Sequence, residues 1–440
     1  MVVLCLEVQQ KGMVITIMKR GLALLLSAAM ALSLLASVTW AAEDDKNAEK
    51  PAQETSNAST VLLFGDLKKR MLSGCQSILV LEKNIAVIES INYDDLEEEM
   101  RDQMNATVAQ QAMMEAVSGQ TAVFDPAVTG LAMLTGTMMG MSLNQQYEAY
   151  KDAYESIRDG EMQKDNAEMV RQLRNAENTA VMMGETLYIT LLSLQTQDKA
   201  LTRNGESLDR TIRELKLRYE LGQISALTLR QAEAGKPQLV SGQETLRMNV
   251  GMLRRQLNAM IGQPLTGELR LQQLPEVTDA QLAAMDADKD LEKAKAASYE
   301  LYTAKKTLDD ADEEYRDQMD KYRDKNDYYK KTQAQYTWEA AQHTYRSTVE
   351  TFELNFRKLF DQVKDYAQIL TAAKTALACE QANRDAAKVR YELGTISHNA
   401  LLDAEDKVYT AENKVQSAKY DLFTAYNNYC WAVNEGIVNG

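Results

Sequence analysis

The chain of 440 residues is short of the side chains on which most enzyme sites depend. It has two histidines, His343 and His398, far apart in sequence, and four scattered cysteines. A zinc centre or a histidine-dependent triad needs more than these provide. No glycine-rich phosphate loop is present. Five prolines and 20 glycines are too few for a collagen-like or low-complexity chain, and a 45% hydrophobic share is too high for wholesale disorder. Phe (6) and Trp (3) are scarce beside 20 Tyr, which suits surface-rich helices better than a large globular core. Positive charge is also in deficit, with 49 Lys and Arg against 64 Asp and Glu for a net −15. No basic cluster stands apart from neighbouring acids, so a phosphate backbone finds no matching face and nucleic acid is not an expected partner. Carboxylate pairs such as Asp309-Asp310 and Glu313-Glu314 sit in charge-dense helical stretches. Such stretches are solvated and do not form the water-excluding pocket that acid–base catalysis requires. The sequence therefore nominates no catalytic, cofactor-binding or metal-ligating residue, and the protein is not expected to be an enzyme.

The N-terminal segment has the layout of a secretory signal. Lys19 and Arg20 precede an apolar run over residues 22–38, and Thr39-Trp40-Ala41 offers small residues for cleavage before Ala42. Residues 1–41 are read as the signal peptide, with Met18 as the start, and the polar, acidic residues 42–60 as a flexible linker. An uncleaved anchor is the alternative, although the run is at the short limit for a bilayer span. After cleavage three cysteines remain, Cys75, Cys379 and Cys430, an odd and widely spaced set that makes no disulfide framework. Leu72-Ser73-Gly74-Cys75 resembles a lipoprotein cleavage box, but Asp66, Lys68, Lys69 and Arg70 precede it where an apolar run is required.

Helical periodicity dominates the rest. Phe352, Phe356, Leu359, Val363, Tyr366, Leu370, Ala373 and Leu377 are spaced alternately by four and three. So are Leu401, Ala404, Val408, Ala411, Val415, Ala418, Leu422, Ala425 and Tyr429. This spacing places a narrow apolar stripe on each helix, as in coiled coils. Runs of about 50 and 37 residues would reach roughly 75 and 55 Å.

The chain also repeats itself. Arg218-Tyr219-Glu220-Leu221-Gly222-Gln223-Ile224-Ser225 recurs as Arg390-Tyr391-Glu392-Leu393-Gly394-Thr395-Ile396-Ser397, and the match continues through Leu229/Leu401, Ala232/Ala404 and Glu233/Glu405. The period is too long for a solenoid unit and indicates a duplicated half-molecule. Each motif predicts a helix–turn–helix tip. Gly222 or Gly394 adopts the left-handed conformation that ends one helix, and Ser225 or Ser397 caps the next. The expected fold is all-α, an elongated bundle of long coiled-coil-like helices in two tandem repeats with little or no β. The first repeat is read as residues 61–263, an inter-repeat connector as 264–290 around Gly262, Pro264, Gly267 and Pro275, and the second repeat as 291–440. Pro237 predicts a kink or break in the first repeat's outgoing helix.

At these motifs the chain resembles the TolC-type outer-membrane efflux proteins. That family has a duplicated pattern of a long helix, Tyr-x-x-Gly-x-x-(Ser/Thr), and a second long helix opening with Leu-x-x-Ala. Here it reads Tyr219, Gly222, Ser225, Leu229, Ala232 and Tyr391, Gly394, Ser397, Leu401, Ala404. The resemblance implies a homotrimeric helical conduit in the cell envelope. It also implies a periplasmic adaptor protein docked at the tips and an inner-membrane transporter as a further partner. On that footing Arg218, Tyr219, Gly222, Ile224, Ser225, Arg390, Tyr391, Gly394, Ile396 and Ser397 form the docking end. Asp403 matches an aspartate that constricts the tunnel in some relatives, whereas the first repeat has Gln231 there. No cofactor is implied.

The departures from the family concern the far end. Its members close a membrane barrel with one β-hairpin per repeat, and a spanning strand needs about 9–11 alternating residues. Residues 309–331 are too densely charged to face lipid. Residues 121–143 are apolar without alternation, and carry Gly136-Thr137-Met138-Met139-Gly140, a helix-packing pattern. They read as a Met-rich hairpin at the bundle end ahead of a membrane contact. The competing function is therefore a secreted or surface-held structural rod that kept the helical hairpins and lost the pore.

Overall fold

The structure is a computed structural model that describes residues 60–121, 126–325 and 328–438, without the side chains of residues 60 and 115–139. The chain divides into two units, Met1–Ser56 and Asn57–Gly440. The signal peptide expected over 1–41 and the linker expected over 42–60, Thr60 apart, lie outside the described residues, and every described element belongs to the second unit. The side chains of residues 136–139 in the Gly136–Gly140 pattern also lie outside them, although the backbone there is helical.

Short strand β1 (Thr60–Leu62) leads into α1 (Phe64–Gly74), α2 (Gln76–Glu89), α3 (Tyr93–Thr121), α4 (Pro126–Arg158), α5 (Glu161–Glu220) and α6 (Ala226–Met260). Next come β2 (Leu269–Leu271), α7 (Asp279–Ala283) and α8 (Ala287–Ala297), which begins within the stretch read as the connector, and then α9 (Tyr299–Lys321), α10 (Tyr329–Glu392) and α11 (His398–Glu435). The fold is an all-α bundle of long helices in two tandem repeats. Helices pair as neighbours in sequence (α3 with α4, α5 with α6, α9 with α10, α10 with α11), and α11 also lies on α5 and α8. Each repeat thus has one helical hairpin at each end of its longest leg. In the first repeat that leg is two helices, α4 and α5, joined at Gly160 in the left-handed conformation (φ 76°). In the second it is the single 64-residue α10.

The stripe expected on α11 is the buried face. Val408, Ala411, Val415, Ala418, Leu422, Ala425 and Tyr429 are all buried. Leu422, Ala425 and Tyr429 pack with Phe352, Phe356, Leu359 and Val363 of α10 and with Leu291 and Ala294 of α8. Alanine at alternate positions keeps the helix surface low, so α8 and α10 approach closely. A second cluster joins Leu67 and Met71 of α1, Ile78 of α2, Tyr188 and Leu191 of α5, Leu257 of α6 and Trp431 of α11. Each fully buried side chain of this size contributes about 1.5–3 kcal/mol. On α10 the stripe changes character beyond Val363, and Tyr366, Leu370, Ala373 and Leu377 are only half-buried.

Two polar pins fix α11 within this core. Asp290 of α8 accepts from the Tyr429 hydroxyl (2.7 Å), the Lys293 ammonium (2.7 Å) and the Asp286 amide (3.2 Å). Burial works against its charge, but these donors outweigh it and hold the carboxyl below the usual carboxylate range. Burial and then the bond to Asp290 push the Tyr429 phenol far above its ordinary value. Glu185 of α5 accepts from Trp431 Nε1 (2.6 Å) and Asn427 Nδ2 (2.7 Å).

The structure departs from the sequence-based expectations at several points. α10 is 64 residues long and not about 50, because it begins at Tyr329. α6 runs through Pro237 without a break. One missing amide is tolerated there because α6 is held to α5 on both sides, after the proline by Gln243 Nε2 donating to Thr202 Oγ1 (2.8 Å) and before it by two contacts. Lys236 Nζ lies 2.7 Å from Asp209, and Gly235 packs toward Leu208. The β structure is small but specific. β1 and β2 pair in parallel, Thr60 with Leu269 and Leu62 with Leu271, and so join the chain ahead of α1 to the stretch read as the inter-repeat connector. The Tyr188 hydroxyl lies 2.8 Å from the Leu62 carbonyl and 2.7 Å from that of Gln272, which ties the strand pair to α5. Gly262 (φ 69°) ends α6 against Gly74, where a Cβ would lie 2.8 Å from the Gly74 Cα. Gly74 is therefore a crossing point between backbones, and Cys75 is a buried core residue. The lipoprotein-like spelling is accounted for by packing.

Candidate functional site: two glycine tips

α5 and α10 end in the same way. The Gly222 amide donates to the Tyr219 carbonyl (2.9 Å) and the Gln223 amide to that of Arg218 (2.8 Å). In the second copy the Gly394 amide donates to Tyr391 (2.8 Å) and the Thr395 amide to Arg390 (2.9 Å). This double closure is the Schellman arrangement, and it requires the left-handed backbone seen at Gly222 (φ 70°) and Gly394 (φ 69°). The next helix is then capped. Ser225 Oγ accepts from the Thr228 amide and Ser397 Oγ from the Ala400 amide, each at 3.2 Å. Each tip adds one bond of its own, between the Ser225 and Thr228 hydroxyls (3.0 Å) in the first and from the Thr395 hydroxyl to the Arg390 carbonyl (2.8 Å) in the second.

A Cβ at Gly222 or Gly394 would meet nothing within 4 Å. Glycine is needed at the tips for its backbone angle and not because of crowding, so both turns face open space. Arg218, Tyr219, Ser225, Arg390, Tyr391 and Ser397 are exposed, while Ile224 and Ile396 are half-buried beneath the turns. Around them stand apolar side chains that a solvated turn does not need. Leu221 is 63% exposed and Leu393 72%, with Leu217, Leu227 and Val389 also exposed. Sequence patterning does not single out these five, although Leu221 and Leu393 lie inside the repeated motif.

The two tips are neighbours. Asn399, at the start of α11, donates to Glu214 near the end of α5 (2.9 Å), and Glu214 also pairs with Arg218. The His398 ring lies 5.4 Å from that of Tyr391. Behind the tips, Asp406 of α11 is held by Arg203 of α5 (2.7 Å) and by Arg210. Burial opposes the Arg203 charge, but the bond to Asp406 prevails and raises its pKa. Asp403, the residue nominated for a constriction, is exposed on α11. The carboxylate drawn into the bundle is Asp406, three residues on. No local motif marks it, because its two arginines come from the other repeat.

An open cleft of about 640 Å³ lies between α5 and α6, lined by Asp209, Ile212, Arg213, Lys216, Glu233, Lys236, Pro237 and Val240. Lys216 pairs with Glu233 (3.3 Å) and Lys236 with Asp209, so most of its charges are committed across the helix pair. Among the described residues no group of three or more His, Cys, Asp or Glu is placed to hold a metal ion, and no single helix is long and apolar enough to cross a membrane.

No protein-family model matches the chain, and no curated protein sequence does. Solved structures do resemble it. A membrane protein from Pseudomonas aeruginosa is 12% identical with a TM-score of 0.49, over 86% of this chain and 91% of that one. The Campylobacter jejuni CmeC outer membrane channel is 15% identical with a TM-score of 0.43, over 66% of this chain and 68% of its own. The Vibrio cholerae outer membrane protein VceC is 11% identical with a TM-score of 0.44, over 84% and 96%.

Proposed function

We propose that the protein is a TolC-like efflux or export component of the cell envelope. It works as a passive oligomeric conduit that docks an adaptor protein through its two glycine tips. The observation that carries this reading is the duplicated tip. Two copies of one turn stand side by side, each with an exposed tyrosine, arginine and leucine. Exposed leucines beside a rigid turn are the kind of apolar anchor that a partner buries.

The oligomer is supported by the α10 stripe, which is buried as far as Val363 and half-open from Tyr366 toward the tip. A neighbouring copy, in a homotrimer on the family pattern, would cover this part. The net charge of −15 makes a wet, acidic lumen, with Asp403 exposed near the second tip as a source of one acidic ring. The chain has no chemical step to perform in this role. An inner-membrane transporter supplies the driving force, and the adaptor couples it to the tips.

One observation favours the competing reading, an exported structural rod. The far hairpin of the second repeat is α9 and α10, charged helices in place of strands. Two measurements separate the readings. Light scattering on the mature protein returns a trimer for a conduit and a monomer for a rod. Leu221→Asp with Leu393→Asp changes only exposed side chains. It abolishes co-purification with an adaptor protein if the tips dock, and changes nothing if they do not.

A further inference from the structure

Pro237 is a feature of the first repeat that neither the bundle nor the tips account for. It lies in the wall of the open cleft of about 640 Å³ between α5 and α6. Proline has no amide, so the Glu233 carbonyl, one turn earlier on α6, loses its helical donor, and Glu233 lines the same cleft. Ile212 supplies an apolar floor, 7% exposed, with Pro237 and Val240 exposed beside it. Three cations meet two carboxylates here. Lys216 takes Glu233 (3.3 Å) and Lys236 takes Asp209 (2.7 Å). Arg213 is left over: it is exposed and makes no ion pair or hydrogen bond among the described residues. The cleft therefore combines a cation without a partner, a backbone acceptor without its donor and an apolar floor.

The tips are duplicated, and this set is not. At the corresponding positions the second repeat has Asp385 for Arg213, Arg384 for Ile212, Tyr409 for Pro237 and Glu412 for Val240. There Asp385 is paired with Arg384 (2.6 Å). Pairing of the two legs does not require the difference, since α10 and α11 pair without it.

We propose that the cleft binds an amphipathic organic anion, a small molecule with a carboxylate or sulfonate, an N–H or O–H beside it and an apolar body. Arg213 on α5 pairs with the anion, the Glu233 carbonyl on α6 accepts from the N–H or O–H, and Ile212, Pro237 and Val240 cover the body. The volume is in the range of small-molecule sites. A partner helix suits the cleft less well. The two ion pairs cross from α5 to α6 seven residues apart on α5, about 10 Å, and interrupt the groove along its length. The inference does not depend on what the tips dock.

The test is fluorescence titration of the full exported chain with dansylglycine, beside dansylglycinamide, which has the same ring and sulfonamide N–H without the carboxylate. The expected result is saturable binding of one dansylglycine per chain, with the amide about tenfold weaker. Arg213→Gln should weaken dansylglycine by about tenfold and leave the amide unchanged, and Arg213→Lys should weaken it by about threefold. Val240→Asp should weaken both probes by about tenfold. Pro237→Ala returns an amide to the Glu233 carbonyl and should weaken both by about threefold. All four variants should keep wild-type helical content. Four results overturn the proposal: no saturable binding to the wild type, equal affinity for the two probes, Arg213→Gln and Val240→Asp variants that bind like wild type, or loss of binding on changing Leu221 and Leu393 to Asp with the cleft intact, which would put the probe at the tips.

Discussion

Replacing Gly262 and Gly394 separately by alanine separates two reasons for having glycine at a helix end. Both residues have φ 69°. A left-handed alanine costs roughly 1–2 kcal/mol from its own backbone. At Gly394 there is no further contribution, because a new Cβ meets nothing within 4 Å. At Gly262 the new Cβ would lie 2.8 Å from both Cα and O of Gly74 and 3.1 Å from its carbonyl carbon. These are backbone atoms of another helix end, so they cannot turn aside like a side chain, and overpacking of this kind adds about 1–3 kcal/mol. Urea unfolding followed by circular dichroism should therefore place Gly394→Ala about 1 kcal/mol below wild type and Gly262→Ala about 3 kcal/mol or more below it. Gly74→Ala should carry the crowding cost alone, about 1–3 kcal/mol, since its backbone is not left-handed but its Cβ would lie 2.5 Å from the Ile261 oxygen. Equal costs at the two sites would refute the claim that the first repeat is clamped on itself at a Gly74–Gly262 crossing while the tips stand free.

Tyr188→Phe removes the buried hydroxyl that binds the strand pair. Because the Gln272 amide still reaches the Leu62 carbonyl (3.0 Å), the main loss falls on the Gln272 carbonyl, at about 1–2 kcal/mol in urea. Burial pushes the Tyr188 phenol up to about 12 from 10.0. A raised folded-state value means that this stabilisation is complete below pH 10 and is lost as pH rises through about 12. Wild-type stability should fall over that window, and the Tyr188→Phe variant should lose about 2 kcal/mol less across it. Asp406→Asn leaves the partly buried Arg210 guanidinium without its counter-charge and Arg203 with Glu206 alone (3.2 Å), and should cost about 1–3 kcal/mol. Asp403→Asn, at an exposed position, should stay within about 0.5 kcal/mol in the same urea titration.

The parts of the fold legible in the sequence were those set by local rules. Three-four spacing marked the buried face of α11 residue by residue from Val408 to Tyr429, because coiled-coil burial repeats along the chain. The tips were legible for the same reason: a glycine at the left-handed position and a serine cap three residues on are local features, and here they are written twice. Contacts between distant segments were not legible. The Gly74–Gly262 crossing, the parallel pairing of Thr60–Leu62 with Leu269–Leu271 and the two arginines on Asp406 each join separate helices or strands. No spacing within one segment encodes them. Pro237 misled because a propensity rule for an isolated helix was applied to one clamped along its length by α5. The leucines at the tips were also missed, since Leu221 and Leu393 read as ordinary helix formers until their exposure is known.

The central claim is that the paired tips are the docking end of an export conduit, and photo-crosslinking in intact cells tests it most directly. A photoreactive amino acid is placed in turn at Leu221, at Leu393 and, as a control, at Tyr329, and adducts are identified by mass spectrometry. The account predicts adducts with an adaptor protein from both tip positions and none from Tyr329. Tip positions that give no adduct, or an adaptor adduct that forms only at Tyr329, would contradict it.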